Sequence, residues 1–287
     1  MQKIKKYIPL VVWILVGVTC ITCLAFIEHD SAKLRCKGVS IEITDAALLS
    51  FVEENDIKRM VNESAHAPLD KLMSDINTAM LENIIYTNPY INKAEVLSTL
   101  DGKVVITASQ RVPILHISCK SGENFFFDTM GVVMPVHKKF AVNVLCANGN
   151  IPCLSSGTEL QPMPESIMDT AREASIHQQL YYIARYVSNH PFWSAQLGQV
   201  YVTENYEIEL IPRIGDHIIK LGSATHLKEK LDKLFVFYKN GLNKKGWTDY
   251  ESLDLTYQSQ VVCVKKKKRE IPTDTATVTK QTTNSIQ

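Results

Sequence analysis

Hydrophobic and polar residues recur along this chain with two different periods, and the first block has no period at all. Ile8–Ile27, IPLVVWILVGVTCITCLAFI, runs for twenty positions without a charged side chain. A helix of that length, at ~1.5 Å per residue, matches the ~30 Å hydrocarbon core of a bilayer. It would also pair its own backbone amides and carbonyls, so it can cross lipid without stranding them. The run therefore predicts a single transmembrane helix over 8–27. Lys3, Lys5 and Lys6 precede it, and Glu28 and Asp30 follow. The positive-inside rule then leaves residues 1–7 in the cytoplasm and sends the remainder across the membrane. A cleaved signal peptide is the alternative, against which stand the length of the run and the lack of a small-x-small cleavage site.

Beyond the polar link Ser31–Cys36, periods of 2 and 3.6 alternate. Val39–Ile43 (VSIEI) alternates like a half-buried strand. Ile57, Met60 and Val61 fall at helical spacing behind the acidic start Glu53–Asp56, a favourable helix N-terminus. A second helical stripe begins near Pro68 and runs through Leu69, Leu72, Ile76, Met80, Leu81 and Ile84 to the stop at Asn88-Pro89. Ile91–Leu100 and Lys103–Gln110 are β-prone runs joined by Asp101-Gly102, a strong hairpin signal. The order β-α-α-β-β over 37–111 predicts a two-layer domain.

The block over 112–264 reads as a mixed sheet with flanking helices. Short strands are predicted at Ile114–Ser118, Asn124–Asp128, Val132–Pro135 and Val142–Cys146, and Asn148–Pro164 reads as a loop. A helix carries Ile176, Leu180, Ile183, Ala184 and Val187 on one side, ending before His190-Pro191. A strand meander follows at Gln199–Thr203, Tyr206–Pro212 and His217–Gly222, then a helix striped by Leu227, Leu231, Leu234, Phe235 and Tyr238. Tyr250–Val264 reads as one extended, β-rich segment. The tail 265–287 opens on Lys265–Arg269, five consecutive positive charges, and then turns polar with almost no large apolar group, which predicts disorder. The fold class is α+β: one N-terminal transmembrane helix, a β-α-α-β-β domain, and a mixed β-sheet domain with flanking helices.

Composition adds a compartment and removes several chemistries. Net charge is +1 overall, but residues 28–264 hold 22 Lys and Arg against 28 Asp and Glu. A mildly acidic exported body argues against a nucleic-acid binder. Five of the seven cysteines, Cys36, Cys119, Cys146, Cys153 and Cys263, lie outside the apolar run. An odd number excludes a fully paired framework; Cys146 and Cys153 are the nearest pair for a disulfide, and buried free thiols are the default. Cys20-x-x-Cys23 has metal or redox spacing but sits in the apolar run without a partner pair. No H-E-x-x-H, G-x-S-x-G or phosphate-binding glycine motif occurs. His217 and His226 could meet, but one pair falls short of a metal site. Glu207 and Glu209 share a strand face, which is more often solvated surface than a glycosidase pair. Phe125–Phe127 could stack sugars, with core packing the better reading. The residues thus predict no catalytic, metal or cofactor site.

Several segments carry a family resemblance. NPYINKAEV (Asn88–Val96), the hairpin Leu100–Val105 and the junction Gln110–Ile114 resemble the POTRA domain of the FtsQ/DivIB cell-division family. FFFDTMGVVMPV, Pro191–Trp193, Glu209–Gly222 and the run KLFVFYKNGLNKKGWTDYESLDLTYQSQVVCVKK are similar to the form found in Bacteroidetes-type bacteria. The resemblance implies a POTRA-like domain over 37–111 and an FtsQ-type β domain over 112–264. It also implies a non-enzymatic divisome scaffold of the inner membrane, with its bulk in the periplasm and enriched at the septum. Its partners would be FtsB- and FtsL-like proteins, bound by strand addition. The family's contact segment, D-L-x-Y-x-S-G, corresponds to Asp254, Leu255, Tyr257, Ser259 and Gln260, with Val261 following; Gln260 departs from the glycine. Tyr257 reads equally well as a cross-strand packing residue. The alternatives are a POTRA-bearing secretion or outer-membrane-assembly component, which would require a transmembrane barrel, and an exported wall-binding or hydrolytic protein.

Overall fold

The computed structural model describes residues 13–22, 34–44, 49–137, 141–160, 174–242 and 246–266. Residues 13–22 form a helix (α1) with exposed side chains. Among the described residues no helix is long and apolar enough to cross a membrane. The flanks of the predicted anchor, 8–12 and 23–27, lie outside the described residues, as do 1–7 and 267–287.

The first body has the predicted order. Strand β1 (Gly38–Ile43) is followed by α2 (Glu54–Asn62), α3 (Thr78–Tyr86), β2 (Ile91–Ser98) and β3 (Lys103–Gln110). The sheet order is β1-β3-β2, with β1 parallel and β2 antiparallel to β3. A capping box between Glu53 and Asp56 starts α2, and its Ile57 and Val61 meet Leu81 and Ile85 of α3 over Val104 and Ile106 of β3. Gly102 turns the hairpin at φ +84°, a left-handed conformation glycine adopts without strain. The helix predicted to begin near Pro68 begins instead at Thr78, capped by Asn77, whose side chain accepts from Met80 N. The earlier backbone is committed elsewhere: Cys36 N donates to Lys71 O at 2.8 Å and Met73 N to Leu34 O at 2.8 Å. Those bonds hold Leu72 extended ahead of a single 3-10 turn at Met73–Asp75, and helical periodicity in the side chains cannot override them.

The second body is a nine-stranded mixed sheet. Its strands are β4 (Pro113–Ser118), β5 (Asn124–Asp128), β6 (Val133–Pro135), β7 (Leu145–Gly149), β8 (Leu197–Val202), β9 (Ile208–Pro212), β10 (Ile218–Gly222), β11 (Tyr250–Asp254) and β12 (Val262–Lys265). Their order is β12-β11-β10-β9-β8-β7-β4-β5-β6. Helices α4 (Ile176–Ser188), α5 (Pro191–Gln196) and α6 (Leu227–Phe237) contribute Leu180, Ile183, Trp193, Leu231 and Leu234 to its core. Proline at the first position of α5 restarts a helix just where the sequence predicted only an end, because the missing N–H is not needed there. The strand predicted at Val142–Cys146 is shifted to Leu145–Gly149.

Tyr250–Val264 is not one strand but two. Asp254 Oδ1 accepts from Thr256 N at 2.9 Å and from Thr256 Oγ1 at 2.6 Å, turning the chain away from the sheet. The chain returns as β12, antiparallel to β11. The disulfide is Cys119–Cys153, with Cα atoms 5.4 Å apart and a sequence separation of 34, rather than Cys146–Cys153. Cys146 lies exposed on β7, while Cys119 immediately follows β4 and Cys153 rides the loop that passes it. That loop is also held by His177, whose Nε2 donates to Pro152 O at 2.8 Å.

The two bodies share packing. Phe126 and Met134, from β5 and β6, belong to the hydrophobic cluster of the first body. Phe51 stacks on Tyr90 at 5.3 Å nearby. Gln110, buried, accepts from Phe51 N and Val52 N at 2.9 Å and donates to Leu49 O at 2.9 Å. That side chain closes the backbone hydrogen bonds of a segment with no strand of its own to join.

Candidate functional site

An edge strand exposes backbone donors and acceptors, so each edge of the large sheet must be covered, blunted or used. The β6 edge is covered. Val133 N donates to Thr158 O at 2.8 Å, Gly157 N to Val133 O at 2.9 Å and Leu160 N to Gly131 O at 3.0 Å. In the small sheet the β2 edge is capped by side chains of α3. Ala94 N donates to Tyr86 Oη at 3.1 Å, and Val96 N to Glu82 Oε1 at 3.0 Å. At the other end of the large sheet, β12 pairs with β11 on one side and, among the described residues, with no strand on the other.

This open edge is short and apolar on its outward face. Val262 and Val264 are exposed, while Cys263 packs against the main core, where burial pushes its thiol pKa up. Across the sheet, Val264 pairs with Ser252 and Val262 with Asp254. Lys220 lies opposite Asp254 and Glu209 opposite Lys220, a charged row ending at the valine.

The residues singled out from the sequence do not all lie on this edge. Asp254 sits in β11 with a strand on each side, and Leu255 is fully buried in the core. Leu255 N extends the pairing by donating to Lys220 O at 2.9 Å. Tyr257, Ser259 and Gln260 are exposed on the turn, and Val261 is half-buried just before β12. The structure therefore moves the open backbone a few residues downstream, to Val262–Lys265, which the sequence reading did not name. The clue was the polar run Thr256–Gln260 interrupting the β-prone pattern.

Beside the turn lies a cavity of about 780 Å³, lined by the β8–β9 turn, the start of α6 and residues 255–258. Lys230 Nζ donates there to Leu221 O at 3.0 Å and Ser223 O at 2.8 Å. Lys233 Nζ donates to Leu255 O at 3.4 Å and to Tyr257 O. Burial, with Lys233 adding repulsion, pulls the Lys230 pKa down to about 8.

The other candidate chemistry disperses. No group of three or more metal-ligating side chains occurs among the described residues. His217 is buried against Tyr238 Oη at 2.8 Å, whereas His226 lies exposed beside Glu229. Phe125 and Phe127 pack edge to face at 5.4 Å in the core, so the aromatic triplet is packing, not a sugar platform.

A comparison with curated proteins finds no match. Two family models do match: one for a POTRA-like domain over residues 34–109, and one described as FtsQ/DivIB, C-terminal related, over residues 112–264. The second spans more than half of the 287 residues, and the chain belongs to the FtsQ/DivIB family.

Proposed function

We propose that the protein is a non-enzymatic scaffold of the cell-division machinery. It is held in the inner membrane by a single helix over 8–27, N-terminus inside, with its two β-containing bodies in the periplasm at the septum. It binds FtsB- and FtsL-like proteins by accepting a strand on the outer edge of β12. The observation that carries this reading is the contrast between the two ends of one sheet: β6 is covered by backbone hydrogen bonds, and β12 has, among the described residues, a neighbouring strand on one side only. Main-chain pairing of that kind supplies affinity without special side chains, the usual mode of strand addition. The Cys119–Cys153 disulfide supports export to an oxidising compartment.

Proline tests the edge, because it removes a ladder donor. Val262→Pro and Cys263→Pro, made in the full chain, between them take away one outward-facing amide. At least one should abolish co-purification of the FtsB- and FtsL-like proteins while the circular dichroism spectrum is unchanged. Normal co-purification by both folded variants would overturn the proposal.

A further inference from the structure

We propose that the end of the first body carrying the β2–β3 hairpin rests on the periplasmic surface of the bilayer, with Leu69, Leu97 and Leu100 dipping between lipid headgroups and Arg35 and Lys37 held over anionic phosphates. The inference rests on the anchor reading above and adds to it a second membrane contact, made by the exported chain. Seven positions separate Ile27, where the apolar run ends, from Leu34. A link of that length reaches no farther than about 25 Å. The hairpin is fixed at the place where this link arrives. Lys37 N donates to Gly102 O at 2.7 Å, and a Cβ at Gly102 would come within 2.9 Å of Leu34 Cδ2. On its other side the entering segment binds the loop after Leu69: Asp70 N donates to Cys36 O at 3.2 Å and Met73 N to Leu34 O at 2.8 Å. Leu100 is 74% exposed, and Leu97 and Leu69 are exposed as well. Scattered exposed leucines are ordinary on a water-facing surface. Three gathered around the point of attachment to a lipid-spanning run form an apolar contact directed at the interface.

Charge divides along the same axis. Arg35 and Lys37 are exposed and form no salt bridge among the described residues, and Arg35 Nη1 is steadied by donating to Asp70 O at 2.7 Å. Lys71 and Lys103 share this end with Asp70 and Asp101, and Asp101 is answered by Lys103 at 3.4 Å. The opposite end of the small sheet, where Gln110 holds Phe51 and Val52, carries Glu53, Glu54 and Asp56 at the start of α2, with Lys58 and Arg59 behind them and Arg59 paired to Asp56. The basic end therefore faces the anchor and the acidic end points away, the orientation an anionic lipid surface favours. Each contact is weak alone, but the short link keeps the surface at high effective concentration, so a weak contact suffices.

The test uses the full chain in vesicles of phosphatidylethanolamine and phosphatidylglycerol, with acyl-chain-brominated lipid as a contact quencher of tryptophan. Leu100→Trp is compared with Met130→Trp, an exposed position in the second body, both in a Trp13→Phe background where Trp193 and Trp247 are common to all variants. The Leu100→Trp side chain should lose about half of its emission, as befits the boundary between headgroups and acyl chains, and the Met130→Trp side chain none. Adding Arg35→Gln and Lys37→Gln should reduce that quenching, and so should replacing phosphatidylglycerol by phosphatidylcholine. Circular dichroism checks that each variant is folded, and Leu97→Trp serves as a second reporter. If the wild type floats with the vesicles and its Trp13 is quenched while both hairpin reporters are not, the inference fails and the anchor reading stands. A blue shift of the reporters without quenching would put protein over the hairpin instead of lipid, and would overturn it too. Quenching indifferent to the two charges and to phosphatidylglycerol would overturn the assignment of an anionic surface. A wild type that does not float overturns the anchor reading itself.

Discussion

Arg111 Nη1 donates to Asp128 Oδ2 at 2.8 Å, tying the residue after the small sheet's last strand to the second strand of the large sheet. Asp128 is almost completely buried, and its other oxygen accepts from Met130 N and Val132 N, both at 2.8 Å. Removing the carboxylate strands one guanidinium and two main-chain donors at once. Asp128→Ala should cost about 3–5 kcal/mol of stability. Asp128→Asn, which keeps the Oδ1 acceptor, should cost less. Chemical denaturation followed by tryptophan fluorescence measures both.

Loss of the Cys119–Cys153 bridge should be felt as a loop-closure effect. For 34 residues the chain-entropy estimate is about 3–4 kcal/mol. The double variant Cys119→Ser, Cys153→Ser should unfold at correspondingly lower denaturant. In the native oxidised protein a maleimide should label Cys146, which is exposed, and spare Cys119 and Cys153.

Lys230 should make stability rise with pH in an unusual window. Its folded pKa, about 8, lies below the ordinary 10.5, so between those values the unfolded chain binds more protons. Stability contributed by this group therefore increases from about pH 8 to 10.5. The stability difference between the wild type and Lys230→Met should shift in the wild type's favour as pH rises across that window, as read from unfolding midpoints.

Three histidines set the acid side. Burial lowers the pKa values of His116, His177 and His217 below 6.5. The unfolded chain then takes up protons first as pH falls, so stability present above 6.5 is lost on acidification. His177→Gln keeps a donor for Pro152 O without a titrating ring and should show a shallower loss between pH 6.5 and 5.

Much of the architecture was legible because local pattern and tertiary placement agree. The strands Asn124–Asp128 and Lys103–Gln110 and the helix through Ile176–Val187 appear where period and turn residues placed them. Two of the failures share a cause: a long-range partner claimed the backbone or side chain. Residues 71–73 carry helical spacing but pair with Leu34 and Cys36. Cys153 has Cys146 as its near neighbour in sequence but meets Cys119 through the sheet. The segment Tyr250–Val264 reads as one strand but forms two, because a local Asp254–Thr256 turn, invisible to the alternation of apolar residues, interrupts it.

Phe126 and Met134 have a practical bearing on dissecting the molecule. They are contributed by strands that lie after residue 112, yet they sit in the cluster built by the preceding helices and small sheet. Cutting the polypeptide between its two family matches would therefore bare a greasy scar on each half, and either fragment would tend to adhere to whatever is offered to it. Bait experiments with such halves would report stickiness in place of recognition.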